Sequence, residues 1–233
     1  IILNMRKKVC IQGLGFVGSA MAIAVASAKS KYNNILYDVI GVDLPNEVGL
    51  KRVNAINNGY FPFYTNDNYL LKSFDTAFKN KNLSATTDQS IYKDADIIVV
   101  DINLDINYSN DNPTLDFSDF CTALSVIAKH VKQGTLIIIE TTVPPGTCSK
   151  IIKPLFDKEL KKRNKPSNYL LLAHSFERVM PGENYLNSIT NYWRVFAADD
   201  QKSADACHKF LSSFINTLDY PLTQLSSTVS SET

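Results

Sequence analysis

Val9-Cys10-Ile11-Gln12-Gly13-Leu14-Gly15-Phe16-Val17-Gly18 is the stretch on which the reading of this chain turns. A short apolar run enters a loop with glycine at its first, third and sixth positions. Phe16 to Lys29, rich in alanine and other small residues, then reads as a helix. A G-x-G-x-x-G loop that follows a strand and opens a helix has the context that dinucleotide binding requires. Gly13 permits the tight turn, Gly15 leaves room for a pyrophosphate against the backbone, and Gly18 lets the helix pack closely on the strand. Free N–H groups in the first turn, at Phe16 and Val17, face the phosphates. The second half of the fingerprint is Asp43. It ends a second strand, Tyr37 to Val42, at about the spacing expected for the acid that bonds the adenosine ribose hydroxyls. A carboxylate there repels a 2′-phosphate, which favours NAD over NADP. The plainer alternative is a glycine-rich turn that binds no nucleotide, with Asp43 a surface acid.

Outward from this loop, strands and helices alternate. The pattern predicts helices over Asn46 to Asn57 and Tyr69 to Phe78, a strand over Leu83 to Thr86 and one or two helical turns over Asp88 to Lys93. Ala95 to Asp101 and Thr135 to Glu140 are β-branched apolar runs, typical of strands buried on both faces. Between them lie a polar loop, Asn103 to Pro113, and an amphipathic helix, Asp116 to Val131. Thr147 to Arg163 reads as a helix whose basic end suits its dipole. Tyr169 to Ala173 and Trp193 to Ala197 follow as strands, and Gln201 to Ile215 as a helix. Such alternation predicts an α/β fold, a doubly wound, mostly parallel sheet of the Rossmann type. The expected division is a NAD-binding domain over 1–216 and the start of a linker over 217–233. The tail, Leu225 to Thr233, is expected to be either disordered or the approach to a further helix.

Composition narrows the function classes. A net charge of +1 gives no electrostatic reason to propose nucleic acid or an acidic membrane surface as partner. Ile1 to Lys8 is followed by an apolar stretch broken by glycines, which reads as a poor signal peptide and predicts no transmembrane helix. The four cysteines, Cys10, Cys121, Cys148 and Cys207, show no metal-ligand or C-x-x-C spacing, which predicts reduced thiols in a cytoplasmic protein. His130, His174 and His208 have no ligand spacing either, so no metal is expected. His174, at a strand end, is read first as a satisfied core or surface histidine.

Four later segments carry a resemblance. They are Asn57-Asn58-Gly59-Tyr60-Phe61-Pro62, Ala95-Asp96-Ile97-Ile98-Val99-Val100, Glu140-Thr141-Thr142-Val143-Pro144-Pro145-Gly146-Thr147, and Phe176-Glu177-Arg178-Val179-Met180-Pro181-Gly182. In order and spacing the chain resembles the UDP-glucose/GDP-mannose dehydrogenase family, through its N-x-G-x-x-P, A-D, S-T-V-P-P-G-T and P-E-R-x-x-P-G motifs. The last two are the specific ones. The Glu177-Arg178…Pro181-Gly182 form is closer to the UDP-N-acetylhexosamine branch than to the UDP-glucose branch.

The resemblance implies oxidation of a sugar's primary alcohol at its sixth carbon to a carboxylate, with two NAD molecules in succession and a covalent thiol intermediate. It implies a UDP-sugar substrate and a setting in surface-polysaccharide synthesis. Thr142 would hold a water or the substrate oxygen near the reacting carbon and also line the NAD groove. Glu177 would do acid/base work, with Arg178 beside it as a substrate contact. Thr87, Asp101 and Ile102 would line the NAD groove. A carboxylate in a partly dry cleft can be raised toward neutrality and act as a base. Taken alone, Thr142 and the Pro-Pro-Gly segment read equally well as a helix-capping turn, and Glu177-Arg178 as a surface ion pair.

The chain also departs from the family. Phe176 stands where the motif has proline, Thr141 where it has serine, and Asp101-Ile102-Asn103-Leu104-Asp105 where the family reads like V-P-T-P. Phe196-Ala197-Ala198-Asp199 replaces the family's usual glycine. The family continues into a long helix bearing an active-site lysine and asparagine, through which it dimerises, and into a second α/β domain with the nucleophilic cysteine. None of the four cysteines stands at that place; Cys148 follows the Pro-Gly turn at a helix start and is read as a bystander. The chain is therefore expected to be an N-terminal half, able to fold but not to complete the two-step oxidation alone. Another NAD-dependent dehydrogenase, of the 3-hydroxyacyl or 6-phosphogluconate type, and a non-catalytic nucleotide-binding module are the alternatives.

Overall fold

A computed structural model describes residues 6–107, 114–177, 179 and 182–233. In chain order the elements are β1 (Lys7–Gln12), α1 (Phe16–Ala26), β2 (Tyr37–Val42), α2 (Glu47–Asn57), α3 (Asn68–Lys79), β3 (Leu83–Thr86) and β4 (Ile97–Val100). There follow β5 (Asp105–Asn107), β6 (Thr114–Asp116), α4 (Ser118–His130), β7 (Leu136–Ile139), α5 (Lys153–Lys162) and β8 (Leu171–His174). The chain ends with α6 (Tyr185–Thr190), β9 (Val195–Ala198), α7 (Gln201–Leu211), β10 (Thr223–Gln224) and α8 (Thr228–Ser231).

The main sheet runs β3-β2-β1-β4-β7-β8-β9-β10. Its neighbours are parallel except β8 and β9, which are antiparallel. The α/β doubly wound, mostly parallel fold expected from the alternation is the fold observed. β4 (Ile-Ile-Val-Val) and β7 (Leu-Ile-Ile-Ile) are buried along their whole length because helices cover both faces. One core cluster joins the sheet to α1, α3 and α7, the other to α4 and α5. Each fully buried Val, Leu or Ile contributes about 1.5–3 kcal/mol, so these two layers dominate stability. The strand order reverses between β1 and β4, and it is in the crevice at the carboxyl ends beside such a reversal that open α/β sheets bind ligands.

Local chemistry fixes the elements around that crevice. The Asn46 side chain accepts from Gly49 N and starts α2. Asp67 caps α3 through Tyr69 N and Leu70 N with one oxygen, and its other oxygen accepts from Leu186 N, which ties α3 to α6. Asn57, of the N-x-G-x-x-P segment, both donates to and accepts from the Ala85 backbone at 2.8 Å. That asparagine clamps α2 to β3, a structural task.

Three expectations need correction. Asn103 to Pro113 was expected as a loop, yet Asp105–Asn107 pairs with Thr114–Asp116 as a two-stranded antiparallel ribbon; residues 108–113 lie outside the described set. α4 accordingly begins at Ser118, because Asp116 belongs to the ribbon and turns its carboxylate to Ser118 N. The helix expected over Thr147 to Arg163 opens with a π-type turn, Cys148–Ile152, before α5. Pro154 lacks an N–H and its ring presses on the preceding turn, and a wider turn relieves both. Disorder is the form the tail does not take: Thr223 and Gln224 extend the sheet, and α8 packs beside β9.

Candidate functional site

The cofactor half is made almost wholly of backbone. Gly13 has φ +97°, and a Cβ there would strike the Asp101 carbonyl at the end of β4. A Cβ on Gly18 would strike the carbonyl of Gly13. Both glycines are demanded by the fold itself. Gly15 is different: nothing lies within 4 Å of the place its Cβ would occupy, so its absent side chain leaves open space beside the first turn of α1. No acidic residue lies in that turn and no side chain caps it. Its N–H groups and the positive end of the helix dipole therefore face the crevice uncompensated, as an anion requires. These residues fit a dinucleotide pyrophosphate. Val17 is half-buried in the turn. Phe16 is stacked on Tyr185, ring centroids 4.1 Å apart, and its carbonyl accepts from the Tyr185 hydroxyl.

Asp43 lies at the end of β2, buried, beside the crevice. One carboxylate oxygen accepts from Leu44 N at 2.8 Å, the other from Arg52 at 3.2 Å. Each oxygen keeps a lone pair, so the carboxylate is oriented and still able to accept from a ribose. Thr87, half-buried, follows β3. Asp101 and Ile102 follow β4, and the Thr141 hydroxyl fastens them, accepting from Ile102 N at 3.0 Å and donating to its carbonyl at 2.8 Å. This explains why threonine serves in place of serine at 141: only the hydroxyl is used.

Thr142, next in the chain, is exposed beyond the carboxyl end of β7. Glu177 follows β8, half-buried, and accepts from Val179 N. Burial pushes its pKa up; the bond from Val179 and the charge of Arg194 pull it down. Arg178, expected beside it, lies outside the described residues.

Beneath these two residues is a buried charge cluster. Glu140, one step before Thr141, and Arg194, just before β9, form an ion pair at 2.8 Å with side chains 2% and 5% exposed. Burial raises Glu140 to about 7 despite the guanidinium, and the charge of Glu177 adds to the rise. Asp101 is pushed well above the usual carboxylate range, first by burial and then by Glu140 and Glu177. Its Oδ2 is shielded from solvent and has no partner among the described residues. Tyr185 also feels Asp101 and Glu177.

A second unanticipated contribution comes from the tail. The Glu232 carboxylate accepts from Gly146 N at 2.5 Å and Cys148 N at 2.7 Å, filling the start of the helix that follows the Pro-Pro-Gly turn. Ser231 bonds His174 Nδ1 at 2.8 Å, so this histidine is buried as expected, but it is satisfied at that nitrogen only, since Nε2 is buried with no partner among the described residues. Cys148 is buried, and burial with the Glu232 charge pushes its thiol up, which fits a bystander. Among the described residues no group of His, Cys, Asp and Glu could hold a metal, and no helix is long and apolar enough to cross a membrane.

The structure thus brings together the glycine loop, Asp101, Ile102, Thr142 and Glu177 along one rim of carboxyl strand ends, with Asp43 and Thr87 at its far side. The sequence reading missed Arg194, Tyr185 and Glu232, and it gave Glu140 no role. Glu140 stood inside a quoted motif, a charge at the end of a buried strand that needs a buried partner. The others carried no local signal.

Residues 7–215 match the profile of the UDP-glucose/GDP-mannose dehydrogenase family, NAD binding domain. The chain is 32% identical over 210 residues to a UDP-N-acetyl-D-mannosamine dehydrogenase of Methanococcus maripaludis, covering 90% of this chain and 43% of that protein. A protein of the same description from Campylobacter jejuni is 29% identical, with 91% and 49% covered. The fold is also that of an NDP-N-acetyl-D-galactosaminuronic acid dehydrogenase from Methanosarcina mazei, at TM-score 0.84 and 23% identity, with 98% and 46% covered. The chain spans about half the length of the curated relatives it matches.

Proposed function

Because the chain belongs to the UDP-glucose/GDP-mannose dehydrogenase family, which it matches over that family's NAD binding domain, we propose that it is the cofactor half of a nucleotide-sugar 6-dehydrogenase. Its substrate would be a UDP-N-acetylhexosamine, the class acted on by the relatives described above. The observation that carries this reading is the fingerprint loop in working form, with Gly15 open and the first turn of α1 uncompensated. When bound, NAD supplies the hydride acceptor. Gly13, Gly15, Phe16, Val17 and Gly18 cradle its pyrophosphate, Asp43 holds the adenosine ribose and rejects a 2′-phosphate, and Thr87, Asp101, Ile102 and Thr142 line the groove. The Thr142 hydroxyl holds the sugar oxygen or a water near the reacting carbon. Glu177, half-buried and raised above its ordinary value, exchanges a proton there, and Arg178 contacts the substrate. The chain's own task in this reading is binding; turnover and dimerisation belong to the whole enzyme, in the cytoplasm.

A non-catalytic nucleotide-binding module is the second reading, favoured by the acid at 101 where the family carries an apolar residue. Calorimetric titration with NAD and, separately, NADP tests the proposal. NAD binding with at least tenfold weaker NADP binding is the expected result. Binding of neither nucleotide overturns it, and equal binding removes Asp43 from its role.

A further inference from the structure

The register of β8 and β9 pairs Ala173 with Ala198 and His174 with Ala197. Carried past the strand ends, the same register would set Arg194 opposite Glu177. The Ser175 hydroxyl, which donates to the Val195 carbonyl at 2.9 Å, keeps the two backbones together along that stretch. On the other side β7 and β8 pair Ile139 with His174, which brings Glu140 beside Ser175. The Arg194 backbone is fixed in turn, its carbonyl accepting from Thr223 N of β10. One buried guanidinium, paired with Glu140, therefore lies near enough to the carboxylate at the site's edge to act on it through its charge.

We propose that Arg194 is a positioning residue that acts through Glu177: anchored by Glu140, it holds the Glu177 carboxyl at the rim and sets how much negative charge that group carries. Every charged neighbour bears on this balance. Asp101 from the end of β4 faces the same guanidinium, Tyr185 of α6 faces Asp101 and Glu177, and Cys207 of α7 faces the Glu140–Arg194 pair. Among the described residues, three acids share the charge of Arg194. A proton lost or gained by one of them shifts the others, and the anchor decides which acid has first claim on the positive charge. The significance of Glu177 rests on the function proposed above; its dependence on Arg194 does not.

The test is a carbon-13 NMR titration of the side-chain carboxyls in the full chain labelled with glutamate. The Glu177 signal is assigned by its loss in Glu177→Gln, and amide spectra report folding. In Arg194→Gln the Glu177 midpoint is expected to rise by about 1 pH unit or more, and Arg194→Lys to restore most of the shift. An unmoved midpoint in folded Arg194→Gln overturns the proposal. If that variant does not fold, Glu140→Gln, which keeps the shape of the anchor, decides. Release of the guanidinium from its competing carboxylate should lower the Glu177 midpoint; an unmoved or raised midpoint overturns the proposal. Nucleotide titration of the same samples separates failure of this inference from failure of NAD binding.

Discussion

Two stretches of strand ends lie along the same edge of the sheet, and they are built on opposite principles. At β1, β2 and α1 the site is made by leaving side chains out: glycine at 13, 15 and 18, a bare helix start, and one oriented carboxylate at 43. At the ends of β4, β7, β8 and β9 it is made by putting charge in, with Glu140 and Arg194 packed where little water reaches, Asp101 turning a shielded oxygen inward and Glu177 half-buried above them. The first region works through backbone geometry and tolerates no added atom. The second works through a balance of like and unlike charges and tolerates no unpaired one. The difference teaches where each region is fragile: one to bulk, the other to loss of a partner.

The largest expected effect lies on the charged side. Arg194→Met leaves Glu140 buried without its cation and should cost about 3 kcal/mol or more, read from urea denaturation. Arg194→Met with Glu140→Met should recover most of that loss. A double variant as unstable as the single one would show that shape, not charge, governs this region, and the comparison would fail.

Next comes the glycine side. Gly18→Ala drives a methyl into the Gly13 carbonyl and should cost about 2–3 kcal/mol through backbone strain. Gly15→Ala meets nothing and should leave stability within about 0.5 kcal/mol while weakening NAD binding at least tenfold. Equal stability loss in both variants would erase the distinction between fold glycines and the ligand glycine.

The third effect is in pH, where the bond to Arg194 offsets part of the burial cost of Glu140. Glu140 is raised from 4.5 to about 7 in the folded chain. A raised carboxyl contributes stability that is full below its unfolded value and is lost as pH climbs through the folded one. Stability should therefore fall between about pH 4.5 and 7. Glu177 and Asp101 act in the same direction, while His174, lowered by burial, opposes them as pH drops. Melting temperatures across this range should show a shallower decline in Glu140→Gln than in the parent chain; parallel curves would remove Glu140 from the account.

The same contrast explains what could be read in advance. Period, punctuation and glycine spacing are local properties, so β1, α1, β2, β3 and the mostly parallel character of the sheet were legible in the sequence, as were the places of Asp43, Thr142 and Glu177. The ribbon of β5 and β6 was not, because three-residue strands carry no period. Neither was α6, a single short helix held by Asp67 from more than a hundred residues away. Arg194 and Glu232 were illegible for the same reason. A lone arginine before a strand and a lone glutamate in a Ser/Thr-rich tail acquire meaning only from Glu140 and from the amides of Gly146 and Cys148, across distances that no pattern spans.

The contact made by Glu232 reaches beyond local geometry. Its carboxylate closes a loop of 86 residues back to Gly146, with Ser231 fastening the same segment to His174. The turn that carries Thr142 is thereby joined mechanically to the last residues of the chain. A pull or a twist applied to this segment would reach the turn after β7 through the Glu232 carboxylate and the end of β8 through Ser231, much as a taut cord transmits tension to the peg it is tied to.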